Sequence, residues 1–451
     1  MTLLSLLVPA ATAAGFYTAD AGILPISQGG TGVTGFASPF AVYYNPAGLS
    51  RIERPTFSLG ASANVQYVEF ERVDADGTRQ PVASNAGKPL AVPEFGFATP
   101  LVKDKLVLAL GFTSPTAPDY RFPADGAQRY SMIDSVVWSF QFGPALSWRP
   151  EKHIAIGVGL QAQVLRIEQH LAITTNGRTD GSGDVGVVAS VWDRFTPGLN
   201  AGVVVEPIED QLRFGLSIQP GLTYLGRGDG SLDFTGNGLD GILDQTVWTD
   251  DAIRLGLKMP TVLRAGVTVN PAPPLAISGE FVFENWSSLS EIVISDIDVT
   301  VTGGNGLINQ AVPSEIALPA GFQDAWSVRL GAEIGLHARV TVRAGALYES
   351  SSLAPNRVSV ALVDTPKVLG SLGGTIWGPK DRFAIDFYGN ATGFRQVTNT
   401  DSLVTQVVGF EGVTPAVVGN GDLRAFGIAG GAALRVFLGP PPETPRSVWL
   451  D

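Results

Sequence analysis

The sequence predicts an all-β fold: a 14-stranded antiparallel transmembrane β-barrel with an N-terminal plug inside its lumen. Three observations point to this fold class. Apolar and polar residues alternate with period two along most of the chain, long and short connections follow one another in strict order, and an apolar run opens the sequence. Period-two alternation is typical of strands that have one apolar face. No uninterrupted apolar stretch reaches the roughly 18 residues that would predict a membrane-spanning helix.

Composition narrows the functional classes. The chain has 451 residues, of which only 16% are charged, whereas soluble domains carry about 25%. Its net charge of −12 argues against general nucleic-acid binding. Because it has no Cys, the chain can form neither a disulfide nor a thiolate metal site. Its three His residues are scattered, so we expect no cofactor and no metal centre.

The first element is the apolar run that opens the chain. Residues 1–13 are predicted to be a secretory signal peptide, since the run ends in small residues with Ala11-Thr12-Ala13 before Ala14 as a cleavage site. The basic region that usually precedes such a run is missing, so the start is truncated or misassigned in this interpretation. A buried N-terminal helix is the alternative.

Residues 14–54 do not alternate, and they are rich in Gly, Ala and Ser. The Gly-rich stretch Gln28-Gly29-Gly30-Thr31-Gly32 lacks the following Lys-Ser or Lys-Thr of a phosphate-binding loop. Because a barrel of 14 strands would otherwise leave an aqueous lumen, this segment is predicted to be a plug. A flexible N-terminal tail is the alternative. The barrel is predicted over 55–438, followed by a C-terminal tail at 439–451.

The barrel strands follow from the alternation. Between residues 212 and 218, for example, Leu212, Phe214, Leu216 and Ile218 alternate with polar or small residues. The fourteen predicted strands are 55–70, 92–101, 105–118, 130–148, 153–169, 195–206, 211–226, 253–270, 275–288, 323–335, 338–350, 366–378, 382–395 and 422–438.

The connections predict the topology. Six are short, and seven are longer, at about 71–91, 119–129, 170–194, 227–252, 289–322, 351–365 and 396–421. Strict alternation of short turns and long loops is typical of an up-and-down barrel in a bacterial outer membrane. With an even number of strands, both chain ends lie on the side of the short turns.

The alternation shows two faces without showing which one is outside. In hydrocarbon every backbone N–H and C=O group needs an internal partner, so a membrane-spanning sheet must close on itself. Predicted export and alternating loop lengths favour an apolar outer face. So does the placement of large aromatic residues near predicted strand ends, as in an interfacial girdle. These residues are Trp138, Tyr224, Trp286, Trp326, Tyr348 and Trp377.

Several segments, in order along the chain, resemble the FadL/TodX family of outer-membrane transporters for long-chain fatty acids and aromatic hydrocarbons. The segments are Ala14-Gly15-Phe16, Asn45-Pro46-Ala47-Gly48-Leu49, Arg54-Pro55-Thr56-Phe57-Ser58, Met259-Pro260, Gly321-Phe322-Gln323-Asp324-Ala325-Trp326, Arg343-Ala344-Gly345 and Tyr348-Glu349-Ser350-Ser351. The chain departs from the family by continuing beyond Phe437-Leu438, since these barrels usually end in an aromatic assembly signal.

This resemblance implies passive uptake of hydrophobic molecules past an N-terminal plug, with lateral exit at a kinked third strand beside Asn45, Pro46 and Ala47. The third predicted strand contains Pro115 and Pro118, which cannot donate to a strand ladder, although both also fit a strand end. Phe16 matches the family position that reaches into the substrate pocket. Arg166 matches a basic residue facing a substrate carboxylate, but simple alternation would turn it outward unless a bulge intervenes.

The apolar-out interpretation places charges of both signs in the lumen, where we expect them to form ladders that hold the plug. These charges are Arg213, Arg264, Glu280, Glu284, Arg329, Glu333, Arg343 and Asp386. Apolar loop patches such as 185–189 are candidates for a capture groove, with local loop packing as the alternative.

Two other functions stay open: a diffusion porin, and a structural or adhesive outer-membrane barrel. An enzyme is not expected, because no His lies in a catalytic signature and Gly-x-Ser-x-Gly is absent. The expected partners are a hydrophobic small molecule, membrane lipid including lipopolysaccharide, and the barrel assembly machinery, but no nucleic acid. The expected location is the bacterial outer membrane.

Overall fold

A computed structural model describes most of the chain, and the fold is almost entirely antiparallel β-sheet. The described residues are 20–86, 89–114, 119–233, 245–248, 253–295, 299–303, 308–311, 315–319, 321–408 and 412–441. Within them, no helix has the length and apolar character needed to cross a bilayer. The predicted signal peptide lies outside the described residues.

Fourteen strands form one closed barrel, as the alternation predicts. Some strands consist of two segments separated by a short break. The strands are β1 (Thr56–Arg72), β2 (Leu90–Val102), β3 (Leu106–Thr113 and Asp119–Arg121), β4 (Asp134–Glu151), β5 (Ile154–Thr174), β6 (Asp184–Ile208), β7 (Leu212–Gln219 and Thr223–Asp233), β8 (Ile253–Lys258 and Val262–Ala272), β9 (Leu275–Glu284 and Glu291–Ser295), β10 (Glu315–Pro319 and Ala325–His337), β11 (Val340–Glu349), β12 (Lys367–Trp377), β13 (Phe383–Phe394 and Val397–Asn399) and β14 (Gly421–Phe437).

Each strand pairs with the next in antiparallel register, and β14 pairs with β1 from Phe437–Thr56 to Gly421–Arg72. The long connections all lie at one end of the barrel and the short turns at the other, so this part of the prediction is confirmed. Near the long-loop end, Ala83–Ser84 pairs with β1, and a small separate sheet joins Gln245–Trp248, Val299–Gly303 and Ile308–Ala311.

Helices are few and short. Two α-helical turns, α1 (Ile23–Ile26) and α2 (Ala41–Tyr44), precede the barrel, followed by a 3-10 helix at Pro46–Arg51. Among the described residues, three further 3-10 turns occur: Trp286–Ser288 in the break of β9, and Pro355–Arg357 and Pro379–Asp381 in connections between strands.

The outer face of the barrel is apolar, as predicted. Leu160 on β5 is 61% exposed and Leu372 on β12 is 68% exposed, and similar residues surround the barrel. Trp138 and Trp148 both point outward from β4, ten residues apart. At about 3.4 Å per residue and a strand tilt of about 35–45°, they lie about 25 Å apart along the membrane normal, which is the height of a lipid-facing band. The two Trp residues therefore mark the two membrane interfaces.

The barrel rises beyond this band at the long-loop end, and there its apolar face turns inward. On β5, Ile156, Val158 and Leu160 point outward near the short turns, whereas Ile167 and Leu171 are buried inside near the long loops. A large apolar cluster fills the upper bore in this way.

Residues 170–194, predicted as a loop, are accordingly mostly strand, because β5 continues to Thr174 and β6 begins at Asp184. The patch at 185–189 is part of this packing, with Val185, Val187 and Ala189 buried. The predicted loops 227–252 and 289–322 likewise contain strand segments.

Candidate functional site

Residues 20–55, which precede β1, lie folded inside the lower bore. The barrel wall approaches it so closely that only Gly fits at some wall positions. A Cβ atom on Gly345 of β11 would lie 2.1 Å from the backbone of Gln28 and Gly29, and one on Gly157 of β5 would lie 2.1 Å from the backbone N of Ala47. Since real Cβ atoms do not approach backbone this closely, both positions serve plug docking. The predicted plug inside the lumen is confirmed.

One cluster of buried charges ties the plug to the wall on β8–β10. The Glu280 carboxylate accepts hydrogen bonds from the backbone N–H groups of Gly32 (2.7 Å) and Val33 (2.9 Å). Its other oxygen lies 2.8 Å from Arg264 Nη1. Asp20 pairs with Arg329 and lies 3.4 Å from Arg264 Nη2. Hydrogen bonds to charged groups are stronger than those between neutral groups. We call this cluster, which holds the plug to the wall, the ionic latch.

A second chain of charges secures the other side of the plug. Arg435 on β14 pairs with Asp386 on β13 and donates to the carbonyl of Ala37 in the plug at 2.9 Å. Asp386 accepts from Thr375, which in turn accepts from Arg343. Of the eight predicted luminal charges, Arg264, Glu280 and Arg329 contact the plug directly, and Asp386 and Arg343 support Arg435, which does so too.

Asn45 provides a third point of attachment between the plug and the wall. Its side-chain amide donates to the carbonyls of Val33 (2.7 Å) and Val203 (3.0 Å), and its oxygen accepts from the N–H of Ala47. Pro46 occupies the first turn of the 3-10 helix, where a missing N–H is harmless. The Asn45-Pro46-Ala47 segment packs on β4–β7, with Ser147 donating to the Ala47 carbonyl at 3.1 Å.

A cavity of about 170 Å³ lies above the plug and below the apolar upper bore. The plug contributes Asp20 and Gly30, and the wall contributes polar residues such as Asn390 and apolar ones such as Phe394. The cavity also reaches Val92, Glu94, Thr113 and Ser114 on β2 and β3. The described lining contains the carboxyl groups of Asp20 and Glu94 and no Lys or Arg, and Asp20 is paired with Arg329.

Among the described residues, the hydrogen-bonded ladder between β2 and β3 is interrupted beside this cavity, and we call this stretch the window. The β2–β3 ladder ends at Phe95–Phe112, although β2 continues to residue 90 along β1. Above the window the strands are joined again, because the N–H of Ala86 donates to the carbonyl of Arg121 at 2.7 Å. Among the described residues, no ladder pair closes the stretch between these two levels. The cavity and the window thus share Val92, Glu94, Thr113 and Ser114.

Glu94 connects the plug to the window. It is 3% exposed and interacts with the backbone N–H groups of Gly22 and Ile23, which begin α1. Gly22 has φ 85°, a conformation that a side chain would disfavour, and a Cβ atom there would lie 2.8 Å from Cβ of Phe40. A displacement of α1 would therefore change the surroundings of the window directly.

A second cavity of about 370 Å³ lies on the short-turn side, between the plug and the wall. Its lining includes Arg51, Glu53, Arg213, Glu333 and Arg343. The plug therefore separates an upper cavity with apolar walls from a lower, strongly charged one.

The structure brings together only part of the site that the sequence suggests. Arg166 points outward from β5, 47% exposed, with its guanidinium 3.0 Å from Glu168, so it does not face the lumen. The bulge between β5 and β6 at Gln163 and Leu165 does not turn it inward. Phe16, Pro115 and Pro118 lie outside the described residues. Asp20 and Glu94 were not identified from the sequence, because neither lies in a motif.

A plugged 14-stranded barrel with an apolar belt defines a class: an outer-membrane transport barrel. The chain belongs to the outer membrane protein transport protein family (OMPP1/FadL/TodX), whose model matches residues 4–426. The resemblance stated from the sequence is thereby confirmed, and the family places the chain in the bacterial outer membrane. None of the curated proteins matches it by sequence.

Solved structures share this fold. A FadL homologue from Pseudomonas aeruginosa is 14% identical, with 96% of this chain and 100% of that chain covered and a TM-score of 0.73. The toluene transporter TodX of P. putida is 14% identical, with 93% and 99% covered and a TM-score of 0.66. The toluene transporter TbuX of Ralstonia pickettii is also 14% identical, with 93% and 99% covered and a TM-score of 0.63. Identities this low show the fold alone.

Proposed function

We propose that this protein carries small, neutral, apolar molecules passively across the outer membrane, through the cavity and out of the window, without chemical conversion. The observation that carries the proposal is that the cavity shares its wall with the window. Aromatic hydrocarbons and fatty acids are the two substrate classes that the family resemblance offers. The other partners are lipopolysaccharide around the barrel and the machinery that assembles it.

The size and charge of the cavity favour the neutral class. A cavity of about 150 Å³ is enough for a benzene ring, and this one measures about 170 Å³. The described lining holds no Lys or Arg that could pair with a fatty-acid carboxylate, whereas a hydrocarbon gains about 25 cal/mol for each Å² of apolar surface that it buries. A long acyl chain would need the plug to move further.

The route starts in the apolar upper bore, whose buried residues accept the solute from the outside. The solute then enters the cavity above the plug, which blocks the straight path downward. The window offers the alternative path, sideways into the bilayer, where an apolar solute is soluble. We propose that Glu94 couples movement of α1 to this exit.

A disulfide across the window tests the route. The chain has no Cys, so a Pro93→Cys/Ser114→Cys variant places one cysteine on each edge of the window. Oxidation is expected to reduce toluene uptake into cells, and a reductant is expected to restore it. Octanoate uptake by the unmodified protein should be slower than toluene uptake at equal concentration.

The matched control is Phe97→Cys/Leu110→Cys, whose residues already pair across β2 and β3 below the window. Its oxidation should leave uptake unchanged. If the bridged window variant takes up toluene as fast as its reduced form, the lateral route is wrong.

A further inference from the structure

A row of three arginines and two tryptophans crosses the outer surface of five adjacent strands at one level. Register places Arg166 of β5 opposite Trp138 of β4 on one side and Trp192 of β6 on the other. Trp192 is opposite Arg227 of β7, which is opposite Arg254 of β8. All five side chains are exposed. Because directly paired residues face the same side of a sheet, they form one continuous outward row.

The orientation of each arginine follows from its neighbours in the strand. Arg254 lies between Ile253 and Leu255, which are 0% and 2% exposed in the bore. Arg166 lies between the buried Leu165 and Ile167 in the same way. Arg194 adds a fourth cation beside the row, since its guanidinium lies 5.2 Å from the Trp192 ring.

The row lies at the outer membrane interface. Trp138 belongs to it and marks the upper edge of the 25 Å band that Trp148 marks below, at about 3.4 Å per residue. Below the row many exposed residues are apolar, such as Leu225 and Phe195. Above it they are polar, such as Glu168 on β5 and Asp229 on β7.

Arginine at this level meets lipid headgroups. Neighbouring strands are about 5 Å apart, so Arg227 and Arg254 are about 5 Å and Arg166 and Arg227 about 10 Å from each other along the row. Arg227 and Arg254 lie directly opposite one another on the same face, so one phosphate between them could contact both guanidinium groups. The guanidinium fork matches a phosphate in geometry as well as charge.

The acidic side chains described nearby do not neutralise the positive charge of the row. Glu168 pairs with Arg166, but both side chains are nearly half exposed, and such surface pairs contribute little. Asp229 lies two residues beyond Arg227 on the same outer face. Among the residues that the structure describes, four cations and two carboxylates lie on this surface, in a chain whose net charge is −12.

We propose that the row formed by Arg166, Arg227 and Arg254, with Trp138 and Trp192, is a binding site for the phosphates of a lipopolysaccharide headgroup. The level of the row selects this lipid, because the long-loop end faces the outer leaflet, whose lipid carries more than one phosphate on a compact sugar headgroup. The inference specifies one lipid partner named under the proposed function, but it is independent of transport.

The test measures binding of bisphosphorylated lipid A to the full-length protein in zwitterionic nanodiscs, by native mass spectrometry. Each arginine near an anionic headgroup is worth about fivefold in affinity, so the triple variant R166Q/R227Q/R254Q should bind on the order of a hundredfold more weakly. Lipid A without its phosphates should bind the unmodified protein with a similar loss. The control is Arg424→Gln, an exposed arginine paired opposite Glu69 on the other side of the barrel, which should keep full affinity.

Equal lipid A binding by the triple variant and the unmodified protein would overturn the proposal, as would equal affinity for phosphatidylglycerol. Heat-modifiable migration on a gel reports whether each variant is folded. Should the triple variant fail to fold, R227Q/R254Q keeps the Arg166–Glu168 pair and is expected to lose affinity by about 30-fold. Uptake is not measured, so a negative result leaves the transport proposal standing.

Discussion

Glu280 is the residue whose removal should loosen the plug most selectively. Its carboxylate is 4% exposed, receives the N–H groups of Gly32 and Val33, and pairs with the buried Arg264. Glu280→Gln keeps the side-chain volume but removes the charge. Breaking a buried ion pair by removing one partner costs about 3–5 kcal/mol. Since Asp20 also lies near Arg264, we expect the lower figure for the docked plug.

A loss of about 3 kcal/mol raises the population of the undocked plug on the order of a hundredfold. Hydrogen exchange at the Gly32 and Val33 amides should accelerate by that factor, and conductance events in planar bilayers should become more frequent. The control is Glu209→Gln, which removes an exposed pair with Lys152 on a short turn. If exchange at Gly32 and Val33 is the same in E280Q and in the unmodified protein, the ionic latch does not hold the plug.

Three further outcomes are expected. Gly345→Val should raise bilayer conductance, because its side chain would overlap the backbone of Gln28 and Gly29, whereas Gly370→Val, which meets nothing within 4 Å, should not. Replacing Pro115 and Pro118 together should slow hydrophobic uptake by cells, since two N–H groups then become available to close the strand ladder; unchanged uptake would argue against lateral exit. In the loop before β12, burial raises the pKa of the Asp364 carboxyl above its ordinary value of 3.8. The raised pKa means that the folded loop binds the proton more tightly than the unfolded chain, so loop stability falls as pH rises from about 4 through the raised pKa. Exchange protection of residues 351–365 should follow that trend and lose it in Asp364→Asn.

The strands could be predicted because the lipid belt imposes a simple pattern. Ile156, Val158 and Leu160 face hydrocarbon while Gly157 and Gly159 face the bore, so alternation is strong there. The upper halves of β5 and β6 were missed because the apolar face changes sides above the membrane. Val185 and Val187 point inward, whereas the apolar residues of the same strand lower down point outward. When the apolar residues of a strand switch from one face to the other, the alternation is broken, and from the sequence alone this looks like the end of the strand.

The site was harder to predict, for a different reason. Asp20 and Arg329 are paired across 309 positions of sequence, and no local pattern reports such a contact. The presence of charges of both signs on lumen-facing positions did predict that they would hold the plug. It could not identify Asp20 as their partner, nor Glu94 as the contact between α1 and the window. For Arg166, simple alternation predicted an outward side chain, and the structure agrees with the alternation.

The pairing of β14 with β1 has a consequence for biogenesis. The seam that seals the cylinder joins the last strand made to the first, so the wall stays open until translation and export of almost the whole chain are complete. The plug segment precedes β1 and is exported first. The wall residues that bind it are exported much later, and they include Arg264, Glu280, Arg329 and Arg435. We therefore expect the plug to be enclosed when β14 pairs with β1, rather than to be inserted into a barrel that has already closed.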